Sequence, residues 1–469
     1  MNKSWQHFIT YGFSIVVTRG LSLIMLPFIT RYLAPEQIGK LELLATISVF
    51  VGLFITFCLH EALYRYAGHF TSVKKQYVIA NRLFSLSCLV AAIIGLPLCL
   101  LAFTLDHQLL SPITHKELLL VLVSVLFTGP LSVSTAWLRM QDKARSFFII
   151  SAIASLIQVI WIVIALNLHA TVGAILWAGL VATLFQMVAL QVANQFRLRK
   201  MPSSQVKQYL IYSLPIVGSG LVAFGLSGAE RWILAANTSL LELGLYAIAA
   251  KFALAMCLLV QPFGMWWMPK RFQMIKEQGR TAVIRISQAG LIYIFMLVAA
   301  MSYAAPLFIS IALPIDYEPA ITFIVPALMI AMFKEMGEIT NIGILYRKQT
   351  QHLFTINLIS AVVGVSSAFF AGQWGIIAIL TVLSLVGIGR FVAISIVSHR
   401  LYRLYYDCGS LLALATLSIS FCFLSIYVQD MTTRLLMSVL SPIFILLTAL
   451  LLQRFALTQL PTLQQQSEP

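Results

Sequence analysis

"VVTRGLSLIMLPFITRYLAPEQIGKLELL", residues 16–44, decides the fold. An apolar run reaches Ile29, a short polar break follows, and a second apolar run opens after Pro35, while Arg19 stands in the middle of the first run. A helix needs about 20 apolar residues to cross the ~30 Å hydrocarbon core of a bilayer. The pattern recurs along the chain: of 469 residues, 60% are hydrophobic and only 10% charged, with a mean hydropathy of +0.92. Such a composition leaves too little polar surface for a water-soluble domain. The runs are continuous rather than alternating, which selects spanning helices over a β-barrel. The expected fold class is therefore an all-α polytopic membrane protein.

Fourteen helices are expected, near 7–31, 38–60, 78–103, 117–138, 147–166, 171–194, 208–236, 240–264, 284–311, 319–341, 354–371, 374–398, 410–429 and 435–453. Alternating the sides places most basic residues together, from Lys3 and Arg65 through Lys143, Arg197, Lys270 and Arg347 to Arg454. Arg31, Lys40, Lys116 and Arg434 fall on the other side. The positive-inside bias then puts both termini in the cytoplasm. The net charge of +15 is spread between hydrophobic runs instead of forming one basic face, which argues against nucleic acid. Six cysteines show no metal-ligand or redox spacing and are read as small core residues, so no metal and no cofactor are expected. The N-terminus lacks a small-residue cleavage site, so no removed signal peptide is expected, and the polar residues 456–469 read as a disordered tail.

An internal repeat organises the chain. Residues 31–47, "RYLAPEQIGKLELLATI", align with 231–252, "RWILAANTSLLELGLYAIAAKF", setting Arg31 on Arg231 and Gly39 on Gly244. Further on, "EALYRYA" (61–67) falls on "WWMPKRF" (266–272). Both copies leave the same side, so the repeats run parallel and are related by an axis along the membrane normal. The expected organisation is two pseudo-symmetric six-helix lobes, 1–200 and 201–404, facing a central cavity, with the last two helices (405–455) appended.

Charges inside the apolar runs are the candidate functional residues, because a cation at mid-depth costs roughly 2.5–3.5 kcal/mol and is turned toward protein or water. Arg19 and Lys251 lie near the centres of the first and eighth helices, and Arg31 and Arg231 near outer helix ends. Cations from two lobes could hold a phosphate or pyrophosphate, with arginine suited to forked contacts; they could equally be locked in internal ion pairs with Glu61, Glu230, Glu335 or Glu338. Those carboxylates are also the candidates for a coupling H+ or Na+. Lys334 and Glu338, four residues apart, are placed to pair along one helix, and Arg390 is a further pairing candidate. Pro27 and Pro215 interrupt helical hydrogen bonding and mark places where helices could bend.

"LPFITRYLAPEQIGKLELL" (26–44), "EALYRYA" (61–67) and "AERWILA" (229–235) together resemble the polysaccharide-transport family of the multidrug/oligosaccharidyl-lipid/polysaccharide exporter superfamily, and within it the O-antigen type flippases. The second half departs from the family pattern in its "WILAANTS" segment, where the acidic residue stands at Glu230. The resemblance implies a bacterial inner-membrane flippase, not an enzyme, that moves an undecaprenyl-pyrophosphate-linked glycan from the cytoplasmic to the periplasmic leaflet. It also implies a V-shaped, MATE-like pair of lobes with the first, second, seventh and eighth helices lining the cavity. Membrane lipids and other polysaccharide-assembly proteins are the implied partners. A peptidoglycan-precursor flippase is the nearest alternative. A drug/cation antiporter should favour a carboxylate at the centre, and a membrane glycan polymerase or ligase should carry a large outer loop.

Overall fold

The computed structural model of the chain describes residues 23–104 and 112–459. Among these residues the secondary structure is helical, and twelve segments are long and apolar enough to cross a membrane. The expected helices from the second onward fall on these segments; the first, 7–31, lies largely outside the described residues, which take it up at residue 23 and include the helix Leu26–Tyr32 (α1). The helix begins just before Pro27, which sits in the first turn where its missing N–H is not needed.

Several expected boundaries are refined by local chemistry. The second crossing runs past its expected end as two helices, Pro35–Thr56 (α2) and Leu59–Ala67 (α3), split where Phe57 and Cys58 both adopt left-handed backbone (φ 44° and 49°). Residues 73–104 form α4. The next crossing is divided into His115–Leu126 (α5) and Thr128–Met140 (α6), because Pro130 cannot donate to the carbonyl four residues earlier. Ala144–Leu168 (α7), Val172–Asn194 (α8), Ser203–Ser227 (α9) and Ala229–Asn237 (α10) follow. Leu240–Ala312 (α11) is 73 residues long, about 110 Å if straight, and so holds two crossings. The segment expected to join them near 265–283 is itself helical, broken at Gly279, whose φ of 79° suits a residue without Cβ. Ile324–Thr340 (α12), Ile342–Tyr346 (α13), Thr350–Ala371 (α14), Ile376–Leu401 (α15), Cys408–Tyr427 (α16) and Met431–Gln459 (α17) complete the described chain.

The chain divides into two compact units between Gly244 and Leu245, so α9 and α10 group with the helices before them. Large apolar side chains such as Ile93, Leu100, Phe103, Trp177 and Val192 in the first unit lie on the outside. In water such a belt would be an aggregation surface; against lipid it is the solvent-facing side. Lipid tails are as apolar as leucine, so helices associate there through close backbone approach at small residues. The closest approach joins the two residues equated by the internal repeat. A Cβ on Gly39 would lie 2.0 Å from the Leu240 carbonyl oxygen, and one on Gly244 would lie 1.9 Å from that of Pro35. Each glycine thus meets the carbonyl four residues before the other, the reciprocity that a local two-fold axis produces. In the second unit Gly343 plays a comparable part, its Cβ position lying 2.0 Å from the Ser398 carbonyl oxygen while its N–H donates to Ser398 Oγ at 2.8 Å.

Candidate functional site

In the first unit the short helix α10 presents Glu230 and Arg231 to α2. Arg231 Nε donates to Glu42 Oε1 at 2.6 Å and Nη1 to Glu230 Oε1 at 2.7 Å, with all three side chains at least four-fifths buried. The planar guanidinium reaches the two carboxylates through separate nitrogens held in a fixed fork, a geometry the point charge of a lysine lacks. Gly228, which separates α9 from α10, turns the chain so that Arg231 Nη1 also reaches the Ser227 carbonyl at 3.3 Å. On the same three helices, Trp232 packs edge to face on Phe50 and Phe224, which are tilted against each other, all with centroids about 5 Å apart, fixing α2 against α9 and α10. Nearby, Lys40 pairs with Glu117 at 2.6 Å, and the same carboxylate caps α5 through Thr114.

Glu42 went unnoticed in the sequence because it lies close to the helix start, where snorkelling would satisfy it. Arg19 lies outside the described residues. Arg31, in the last turn of α1, is exposed and makes no hydrogen bond or ion pair among the described residues. Glu61 opens α3 just after the left-handed pair, half exposed, with His60 Nε2 at 3.6 Å as its side-chain contact among the described residues.

In the second unit Lys251 stands eleven residues into α11, roughly 16 Å along its axis. Its neighbours Ile248, Ala249, Phe252 and Ala253 are buried, and among the described residues it has no hydrogen-bond or ion-pair partner. On α12, Glu335 is hydrogen-bonded to Cys257. Glu338 faces Arg390 on α15, Oε1 to Nη2 3.7 Å. The expected pairing of Lys334 with Glu338 along the helix is thus replaced by a contact between helices, and Lys334 is exposed. The contact extends in both directions: Arg390 Nε donates to Asn357 Oδ1 at 2.8 Å, Asn341 Nδ2 donates to Glu338 Oε2 at 3.2 Å, and Arg271 Nη1 donates to Asn341 Oδ1 at 3.1 Å. This polar chain, through four helical segments, was invisible to a reading that tracked charges, because its links are asparagines.

The chain matches the family model described as "Polysaccharide biosynthesis protein" over residues 28–322. No curated protein matches it in sequence. Among solved structures it is similar to "Lipid II flippase MurJ, inward closed conformation", with a TM-score of 0.68 at 13% identity, covering 93% of this chain and 98% of that one. It is also similar to an inward-facing multidrug resistance MATE family transporter of the MOP superfamily (TM-score 0.54, 12% identity, 80% and 93% covered). A eukaryotic MATE transporter gives a TM-score of 0.55 at 10% identity, with 89% and 97% covered. With the family match spanning more than half of the sequence, the chain belongs to the polysaccharide biosynthesis protein family, and it shares its helical fold with MurJ and MATE transporters.

Proposed function

We propose that the chain is a flippase that carries an undecaprenyl-pyrophosphate-linked oligosaccharide, an O-antigen or related surface-polysaccharide repeat unit, from the cytoplasmic to the periplasmic leaflet of a bacterial inner membrane by alternating access. The observation that supports this most is Lys251: an ammonium at mid-helix depth, without a carboxylate among the described residues. A cation so placed calls for a counter-anion, and a pyrophosphate headgroup supplies one while its prenyl tail stays in lipid. Arg19 and Arg31 add charge of the same sign for the phosphate oxygens. Arg231 is held between Glu42 and Glu230, so in this mechanism it braces helices, and a phosphate would reach it only by displacing a carboxylate. Outward movement of the anion gains ~2.3 kcal/mol per charge per 100 mV from a negative interior. Of the carboxylates considered for H+ or Na+ coupling, Glu230, Glu335 and Glu338 are engaged by Arg231, Cys257 and Arg390, and Glu61 is the most loosely held.

The likeness to the lipid II flippase fold favours one second reading, a peptidoglycan-precursor flippase. Depletion of the protein in its host separates the two. Loss of surface glycan, with lipid-linked glycan accumulating on the cytoplasmic leaflet, is the expected result. Arrest of wall synthesis with intact surface glycan would favour the second reading, and no change in either would refute both.

A further inference from the structure

Independently of the transported substrate, we infer that the second unit holds a monovalent anion of halide size at Arg271, bounded by Ser287, Tyr406 and Trp267. Arg271 is 6% exposed, and its guanidinium has Asn341 as hydrogen-bond partner and Phe272 as ring contact, but no carboxylate within ion-pair distance among the described residues. The nearest acid along the polar chain, Glu338, is itself shared with Arg390. Two guanidiniums therefore divide one carboxylate. A buried charge left in that state is expensive unless a counter-ion accompanies it.

The donors for that counter-ion are in place. Among the described residues, four buried polar atoms in this region have no hydrogen-bond partner at ordinary distance: Arg271 Nε, Trp267 Nε1, Ser287 Oγ and Tyr406 Oη, the two hydroxyls lying close enough to interact weakly with each other. Tyr406 lies beside both Ser287 and Arg271. Trp267 is one turn before Arg271 on the same helix and shares a hydrophobic core with Tyr406. Burial pushes the Tyr406 hydroxyl up to about 12, so it keeps its proton and remains a donor at neutral pH. Each of the four atoms can donate, and the arginine and indole nitrogens cannot accept. A water molecule would fill the hydrogen bonds and leave the extra positive charge; an anion meets both requirements. Burial of Trp267 and Ser287 to 1% and 0% exposure restricts it to a small ion. Bound there, it ties both legs of the α11 hairpin, at Arg271 and Ser287, to the segment before α16.

The test uses the full chain, purified in detergent and unfolded thermally in sodium chloride, sodium bromide or sodium gluconate at one ionic strength. The expected result is a higher Tm in chloride and bromide than in gluconate. Arg271→Met should abolish the difference, and the exposed control Lys276→Gln should keep it. Because Arg271→Met could fail to fold, Ser287→Ala combined with Tyr406→Phe keeps the charge and removes two donors; it should raise the half-saturating chloride concentration about tenfold, the equivalent of one lost hydrogen bond of ~1.4 kcal/mol. Anomalous diffraction from bromide-soaked crystals should show a peak between Arg271, Ser287 and Tyr406. Identical Tm values in all three salts with a water at that position would overturn the assignment, as would a phosphate or lipid headgroup occupying it.

Discussion

The two units place their buried charges in opposite proportion. In the first, one guanidinium, Arg231, is clasped by two carboxylates, Glu42 and Glu230, at 2.6 and 2.7 Å. In the second, two guanidiniums, Arg271 and Arg390, share Glu338 through longer contacts and asparagine links. Short forked pairs inside a bundle hold helices in one arrangement. A chain of neutral links with surplus positive charge instead invites an anion. The difference teaches that the Arg231 cluster of the first unit is built as a brace, and that Lys251, without a partner among the described residues, is the better candidate for substrate.

The comparison can be broken first at the glycines. Gly244→Ala and Gly343→Ala each drive a Cβ to within about 2 Å of a backbone carbonyl, and neither can be relieved by a rotamer change. Each should cost about 3 kcal/mol or more in thermal or denaturant unfolding. Gly264, within a helix and with nothing inside 4 Å of its Cβ position, is the control; its alanine variant should be neutral or stabilising by up to ~1 kcal/mol. Equal sensitivity at all three sites would show that crowding is not the cause.

Next come the guanidiniums. Arg231→Met leaves Glu42 and Glu230 facing each other and should lose about 2–3 kcal/mol of stability, with Arg231→Lys recovering roughly half. Arg390→Met should lose only about 1 kcal/mol, because Glu338 is 40% exposed and can turn to water. A reversed order would erase the proposed contrast. Smaller still is the cap of α17, where Asp430 accepts from Thr432 and from both the N–H and hydroxyl of Thr433, the latter two at 2.8 Å. These bonds hold its carboxyl at about 2 rather than 3.8. The contribution is complete above pH 3.8 and disappears as the pH falls through 2. An Asp430→Asn variant should therefore narrow the stability difference between neutral and acid pH slightly, as read from unfolding curves across that range.

Much of the fold was legible, because hydropathy reports directly on what faces lipid. The boundaries that moved did so for reasons hydropathy does not record. Phe57 and Cys58 break a helix without a glycine or proline to announce it, and residues 265–278 stay helical although polar. Gly39 and Gly244, which the repeat alignment sets on one another, meet in space. At the candidate site, charges in apolar runs drew attention to Arg231, Glu230, Glu338, Arg390 and Lys251. Their partners were not legible. Which helix a side chain faces depends on packing angles, so Glu42 was missed and the choice between Lys334 and Arg390 as the partner of Glu338 stayed open. Asparagines 341 and 357 carry no charge to draw attention, yet they link the polar chain.

The central claim is that Lys251 receives the pyrophosphate of a lipid-linked glycan. Its most direct test is translocation of an undecaprenyl-pyrophosphate-linked oligosaccharide across proteoliposomes, measured by accessibility of the sugar to an enzyme confined to one side. Wild-type protein should move the glycan, and Lys251→Met, inserted and folded to the same level, should slow it about tenfold or more, with Lys251→Arg retaining most of the rate. Undiminished translocation by Lys251→Met would contradict the account.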